Sequence, residues 1–474
     1  MLFHTPQFAV FFSALLPVFF AARALGLGPW VLLIFSQVFY AWWDWRFLVL
    51  LWLTILLDYV IALRIHQSRD LTHRRLLLAL SIAATLSLLG FFKYWNFIIG
   101  SVAALGVPDA DHLTLESIIL PLGISFYSFQ SMGYVLDVFR SRERPVRNLV
   151  HYATFVCYFP HMIAGPIMRI GRLLPALIKP AELTTDRLLS GLLLFCYGFA
   201  AKAMGDVLAR LHDPVFARLP EAPPAAVVFA IVSFGFQIYF DFLGYSEMAR
   251  GISRVLGIEL MRNFRAPYTA TSFQDFWRRW HISLSEWLRD YLYISLGGNR
   301  YGLPARIRNV LITMLLGGLW HGAGWNFLIW GGLQGGYLAL NIVVARALGA
   351  RLPQGRRITW LWSAVGWFIT LVGVMYAWLY FRLPTLAEAQ QANQKIGAWL
   401  SAPAVPEVAW GIVGCVLAFF ALDLARRTAD DVFPVAVPTV RHALAVGVAT
   451  GALLVLVVLL VAGTPTQQFI YFQF

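Results

Sequence analysis

The residues with the clearest chemical potential are Trp320-His321-Gly322-Ala323-Gly324-Trp325, one histidine among small residues and tryptophans in an apolar stretch of membrane-spanning length. An imidazole in hydrocarbon costs free energy unless it has a partner or lines a wet cavity, so an intramembrane histidine reads by default as a site. Neutral imidazole near pH 7 accepts a hydroxyl or thiol proton, and partial desolvation helps to keep it neutral. General-base chemistry inside the bilayer is therefore one reading of His321. The other is a core histidine satisfied by a neighbouring helix. Gly317, Gly318, Gly322 and Gly324 surround it, so either the helix breaks there or backbones approach closely.

A second histidine, His281, lies in the long basic stretch Arg250–Arg308, too polar to span a membrane and too aromatic for a solvated loop. At 100° per residue, Phe273, Phe276, Trp277, Trp280, Leu284, Trp287, Leu288 and Tyr291 fall within a stripe roughly 120° wide. Asp275, Arg278, Arg279, Glu286, Arg289 and Asp290 fall on the other side, and Thr271 or Ser272 offers an N-cap. Such a helix lies in the membrane interface, with His281 at the margin of its apolar stripe and near water. From these residues alone, His281 is either a site residue or a structural histidine bonded to a backbone carbonyl. His281 and Glu286 diverge by about 140° on one helix, so they form no dyad within it.

Other constellations are weaker. There is no G-x-S-x-G elbow, no P-loop, no H-E-x-x-H and no paired-cysteine spacing, so neither a serine hydrolase, a nucleotide site nor a metal has a signature. Cys157, Cys196 and Cys415 read as small buried hydrophobes. Asp58 and Asp137 lie near span ends beside Arg64 and Arg140, where ion pairs or interfacial positions account for them. Asp241, deeper in its apolar run, could orient a histidine or line a tunnel.

The elements that must position these residues are membrane helices. The chain has 474 residues, 59% hydrophobic and 13% charged, against about 45–50% and 25% in soluble domains. Its net charge of +13 resides mainly between apolar runs, the positive-inside pattern, and it gives no footprint for nucleic acid. The first apolar run, Phe8–Ala22, lacks a preceding basic region and a small-residue cleavage site, and reads as a retained helix. Further spans are expected at 30–63 (two short or one broken), 76–99, 117–138, 188–208, 224–247, 309–345 (a broken pair), 359–381, 409–424 and 441–462, about eleven segments in all. Arg-rich loops at Arg64–Arg75, Arg140–Arg147, Arg169–Lys179, Arg346–Arg357 and Arg426–Arg427 are placed in the cytoplasm; Gly100–Glu116, Leu211–Pro224 and Pro384–Glu407 are placed outside. Tyr152–Ile170 is apolar but interrupted by Pro160, His161, Gly165 and Pro166 and flanked by basic residues, which predicts a re-entrant segment with protein covering its free backbone groups. The fold class is thus an all-α polytopic membrane protein, one membrane unit over 1–474 with its core at 117–345 and no separate soluble domain.

Several words of this sequence resemble the membrane-bound O-acyltransferase family, in particular its bacterial alginate O-acetyltransferase-like branch: Phe91-Phe-Lys-Tyr-Trp-Asn-Phe97, Leu120-Pro-Leu-Gly-Ile-Ser-Phe-Tyr-Ser-Phe-Gln130, Phe159-Pro-His-Met-Ile-Ala-Gly-Pro-Ile167, Phe276-Trp-Arg-Arg-Trp-His-Ile-Ser-Leu-Ser285, Trp287-Leu-Arg-Asp-Tyr-Leu-Tyr293, Gly297-Gly-Asn-Arg300, Trp320-His-Gly-Ala-Gly-Trp325 and the terminal Gln468-Phe-Ile-Tyr-Phe-Gln-Phe474. Ser295 departs from the proline that this branch commonly carries before Leu-Gly-Gly; the change affects loop stiffness and no catalytic position. The resemblance implies a helical ring around a thin central region, with tunnels from both faces meeting at a catalytic His321 and a second functional histidine at His281. It also implies substrate contacts from Trp277, Arg278, Trp280, Asn299, Arg300 and Asn326. The implied activity is transfer of acetyl groups from cytoplasmic acetyl-CoA, a substrate rather than a bound cofactor, for O-acetylation of an extracytoplasmic polysaccharide such as alginate. The implied setting is the bacterial inner membrane, with a periplasmic or membrane-anchored serine-esterase-like acetyltransferase as partner. Acetylation of peptidoglycan or cellulose and D-alanyl transfer in teichoic acid assembly are alternatives with the same architecture. A transporter is the non-enzyme alternative, and a single histidine in a glycine-rich break, in place of a chain of acids, argues against it.

Overall fold

The computed structural model describes residues 1–107, 110–115, 118–348, 356–404 and short pieces between 413 and 421. The expected span at 441–462, most of that at 409–424, Cys415, Arg426–Arg427 and the terminal 468–474 motif lie outside the described residues. The described chain is helical and without strands: α1 (Pro6–Ala24), α2 (Gly28–Asp44), α3 (Phe47–Gln67), α4 (Leu71–Leu89), α5 (Trp95–Ala104), α6 (Ile124–Phe139), α7 (Leu149–Cys157), α8 (Phe159–Met162), α9 (Ile170–Ile178), α10 (Thr185–Ala217), α11 (Pro224–Val255), α12 (Phe273–Arg279), α13 (Ile282–Trp287), α14 (Gly302–His321), α15 (Trp325–Leu348), α16 (Arg356–Arg382) and α17 (Leu386–Ser401).

Seven stretches among the described residues are long and apolar enough to cross a membrane: α1, α3, Leu71–Ala104, α10, α11, Trp325–Ala347 and Trp360–Arg382. The stretch 30–63, expected as two short spans or one broken one, forms two helices, α2 and α3, and the broken pair expected at 309–345 is α14 with α15. The expected span at 117–138 is shorter than foreseen, because Gly123 at φ +71° starts α6 only at Ile124. A side chain at Gly123 would place its Cβ 2.7 Å from the Met162 carbonyl oxygen, so the close approach requires glycine. Large apolar side chains on the spanning helices, Leu53, Val60, Leu80 and Trp360 among them, are exposed on the protein surface, as lipid-facing positions must be.

The chain divides into two compact units. The first comprises Met1–Phe195 and Tyr245–Met261. Its α1 and α2 bury a cluster of Phe3, Phe8, Phe11, Phe39 and Phe159, with ring centroids 5.0–6.3 Å apart. The segment 152–170 is not a span but a run of short buried helices broken at Tyr158. Protein groups satisfy it: the Phe159 amide donates to Ser36 Oγ at 3.1 Å and the Gln130 amide to the Phe155 carbonyl at 2.9 Å. That is the covering which non-helical backbone at membrane depth requires. Asp58 is fully buried and does not pair with Arg64; it accepts from Ser81 at 2.6 Å and from Ser131, whose hydroxyl also meets Tyr152 Oη. Asp137 lies 3.9 Å from Arg142.

The second unit comprises Cys196–Gly244 and the chain from Arg262 onward. Here α10 and α11 are joined by buried charge. Lys202 lies 2.5 Å from Asp206 and 2.7 Å from Asp241, all three nearly inaccessible. Asp241 is thus engaged by a lysine; two anions around one cation satisfy each other where an isolated charge would be prohibitive. α14 and α15 form a tight hairpin across Gly318 and Gly331: a Cβ on Gly318 would sit 2.3 Å from the Phe327 carbonyl oxygen, and one on Gly331 would sit 2.4 Å from that of Met314. Small residues at such an interface let backbones touch, which is how membrane helices gain packing energy where lipid is as apolar as leucine.

Candidate active site

His321 is the last residue of α14, and Gly322, in extended conformation, ends the helix. The two alternatives foreseen for the glycines both occur, a helix break at Gly322 and a backbone contact at Gly318. A Cβ on Gly322 would lie 2.1 Å from the Phe327 ring, so the turn into α15 is possible only without a side chain. His321 is 4% exposed and boxed by rings: Trp320 and Trp330 at 5.0 Å and Phe381 at 5.2 Å between centroids. Trp378 stacks on Trp330 at 5.7 Å and supports that wall.

His281 reaches the same place by a different route from the one its sequence suggests. The stripe Phe273–Tyr291 is not one helix. Ser272 caps α12 as expected, accepting from the Asp275 amide at 3.1 Å, but the helix stops at Arg279. Trp280 is extended, His281 is left-handed at φ +41° and ψ +56°, and α13 starts at Ile282, followed by a π-turn over Leu288–Tyr293. A left-handed residue other than glycine costs about 1–2 kcal/mol. The aromatic face is nonetheless buried throughout. The break removes His281 from the stripe margin and from water: it is fully buried, edge-on to Phe242 at 4.7 Å and 6.5 Å between centroids from His321. Burial pushes its imidazole down to about 3, so it is neutral.

A cavity of about 530 Å³ is walled by α12–α15, with neither histidine in its lining. It is lined by Trp277, Arg278, Arg289, Asn299, Arg306 and Met314, with Glu286 on its wall. Arg289 is held on Asp290 at 2.7 Å, whereas Arg278 and Arg306 make no ion pair among the described residues. The cavity and His321 are linked along one helix face. Val310, Met314, Gly317 and His321 recur at intervals of four, three and four residues, and the first two line the cavity. From Met314 to His321 the helix rises roughly 10 Å. Trp277 continues the wall from the cavity to the edge of Trp330, 6.0 Å away, and its indole N–H donates to Gln334 Oε1 at 3.2 Å.

The structure thus brings His321 together with His281, and Trp277, Arg278 and Asn299 together in the cavity wall. It separates three other expected contacts from the cavity. Trp280 is fully buried among Phe264, Phe276 and Trp378, Arg300 lies exposed in the turn after Gly298, and Asn326 donates at 2.9 Å to the Leu383 carbonyl, joining α15 to the end of α16. Sequence reasoning missed Arg306 and Phe381. The four-three-four register leading to His321 would have pointed to the start of α14; nothing local marks Phe381. Among the described residues no group of three metal-ligating side chains occurs.

A polytopic helical protein with two buried imidazoles, at the end of a helix face leading from a cationic cavity, has the architecture of an integral-membrane group-transfer enzyme. The model of the membrane-bound O-acyltransferase family, MBOAT, matches residues 38–382, and the chain belongs to that family: it is a membrane-bound O-acyltransferase. It is 40% identical over 403 residues to the probable alginate O-acetylase AlgI of Pseudomonas aeruginosa, covering 82% of this chain and 75% of that protein. It is 35% identical over 430 residues to the peptidoglycan O-acetyltransferase of Helicobacter pylori, covering 82% and 78%. With the teichoic acid D-alanyltransferase of Streptococcus thermophilus it shares 28% over 302 residues, covering 56% and 69%.

Proposed function

We propose that this protein takes acetyl groups from acetyl-CoA on the cytoplasmic side of the bacterial inner membrane for O-acetylation of an extracytoplasmic polysaccharide, alginate being the first candidate. The observation that carries this reading is a cationic cavity whose wall residues Val310 and Met314 lie on the same face of α14 as His321. Arg278 and Arg306 suit the phosphates of a CoA-type donor, and the apolar face of α14 beyond them, Met314 and Gly317, suits its uncharged arm. At the inner end, His321 removes the proton from an acceptor hydroxyl. The hydroxyl oxygen attacks the thioester carbonyl carbon, the C–S bond breaks, and the sulfur leaves with the proton held on the imidazolium. Neutral His281 offers an N–H to the carbonyl oxygen as negative charge develops there; one such donor in a water-poor site is worth roughly 3 kcal/mol. The similarity to a probable alginate O-acetylase supports the polymer assignment, with peptidoglycan the next candidate from the second relative. The final transfer to polymer is assigned to a periplasmic or membrane-anchored serine-esterase-like partner.

The test is incubation of membranes carrying the wild type or His321→Ala with radiolabelled acetyl-CoA, followed by tracing of the label. Label on a glycan or a periplasmic protein, lost in folded His321→Ala, is the expected result. Equal labelling by the variant overturns the assignment of His321. Labelling only from a D-alanyl carrier thioester overturns the donor.

A further inference from the structure

The left-handed backbone of His281 has to be held by its surroundings, since nothing in a histidine favours it. Among the described residues only Ser141, Ala266 and His281 are non-glycine residues at positive φ, and the last two belong to one small assembly. The segment 263–266 runs against 279–283 like a short antiparallel pair. The Arg265 amide donates to the Arg279 carbonyl at 3.0 Å and the Ile282 amide to the Asn263 carbonyl at 2.9 Å. At its centre is Asn263, fully buried, whose side-chain oxygen accepts from Ser283 Oγ at 2.7 Å and from the Ser283 amide at 3.4 Å. Asn263 thus grips the two residues that follow His281 with both its main-chain and its side-chain oxygen. On the other flank, the Trp280 amide returns to Phe276 at 2.8 Å and Ser285 Oγ bonds the Trp280 carbonyl at 3.1 Å. Residue 281 is left as the single hinge between two fixed segments, its side chain directed at Phe242 and His321.

We infer that Asn263, with Ser283, is a positioning residue that acts through His281 by fixing its left-handed conformation and so the place of its ring beside His321. Asn263 touches no substrate in this role, and the inference rests on the proposed participation of His281. Two properties follow. Loss of the Asn263–Ser283 link impairs the chemical step more than donor binding, because neither Asn263 nor Ser283 lines the cavity that holds the arginines. The loss also matters only while residue 281 is histidine.

The experiment is a double-mutant cycle on the full-length protein in membranes, with acetyl-CoA as donor: Asn263→Ala, His281→Ala and both together, each checked for folding by monodispersity and melting temperature. Asn263→Ala is expected to lower kcat by about tenfold or more, with KM for acetyl-CoA within about twofold, and to add little to the loss in His281→Ala. Ser283→Ala is a milder probe should Asn263→Ala fail to fold; it is expected to show the same kcat-selective loss, with Ser283→Thr recovering activity because it keeps the hydroxyl. Losses that multiply across the cycle, or a rise in KM with unchanged kcat, overturn the inference and leave Asn263 a general structural residue. Full activity in His281→Ala instead refutes the role proposed for His281 itself, a result read from the single variant alone.

Discussion

Gly318→Ala is the most demanding test of the idea that backbone contact between α14 and α15 sets the geometry of His321. The added Cβ would fall 2.3 Å from the Phe327 carbonyl oxygen and 3.1 Å from Gly331 Cα. Both neighbours are backbone, so no flexible side chain can turn aside. Ordinary van der Waals contact begins at 3.4 Å, which means that the two helices must part locally by about 1 Å. Gly318 is one turn before His321, while Phe327 precedes Trp330, whose ring lies 5.0 Å from the imidazole. The separation therefore moves the His321 imidazole relative to its own wall. Overpacking of this kind costs about 1–3 kcal/mol of stability, and a displacement of about 1 Å at the reacting groups costs on the order of 100-fold in rate. The assay is transfer from radiolabelled acetyl-CoA by membranes, with kcat and KM determined separately. Gly336→Ala, which meets nothing within 4 Å, and Gly332→Ala, whose nearest neighbour is a side-chain methyl at 3.7 Å, are the matched controls. Gly318→Ala should lose about two orders of magnitude in kcat while the controls stay near wild type. A folded Gly318→Ala protein with kcat within about twofold of wild type would refute the reasoning.

Three further expectations concern charge. Arg278→Ala and Arg306→Ala should each raise KM for acetyl-CoA several-fold with little change in kcat, and the wild-type KM should rise with ionic strength; a KM indifferent to both would remove the cavity from donor binding. Lys202→Met leaves Asp206 and Asp241 facing each other without their cation, and should cost about 3–5 kcal/mol in thermal or denaturant unfolding; Lys202→Met with Asp206→Asn and Asp241→Asn should recover much of that. His281, neutral when folded at about 3 but 6.5 when free, binds more protons unfolded than folded between those values. Its contribution is complete above pH 6.5 and is lost as pH falls, at roughly 1.4 kcal/mol per unit. Melting temperatures of wild type and His281→Gln between pH 7 and 5 should accordingly converge toward acid, and parallel curves would contradict the burial of His281.

What could be read in the sequence follows physical range. Burial of the Phe273–Tyr291 aromatics is legible because apolar side chains leave water wherever the backbone lets them, and the glycines around His321 are legible because so few pressures favour glycine in a helix. The break between α14 and α15 is legible for the same reason. The break at His281 was not, since residues 273–291 carry good helical periodicity and the left-handed turn is enforced by Asn263, far outside any local window. Asp58 is illegible on similar grounds: its neighbours in sequence are basic, but its partners in space are hydroxyls from α4 and α6.

The same distinction bears on which residues control the chemistry. A histidine at the margin of an interfacial helix would be wet, charged over part of the physiological range and free to turn. The histidine that the fold provides is dry, neutral and fixed at a strained hinge, 6.5 Å from its partner imidazole. Only in the second setting can an uncharged N–H be aimed in advance at developing negative charge without being reorganised during the reaction. The backbone strain at residue 281 and the glycine contact at residue 318 thus serve one end from two sides, holding two rings in a place that neither side chain would select for itself. Loosening either support should therefore lower kcat more than it lowers donor affinity, and variants that leave both supports intact should not reproduce that pattern.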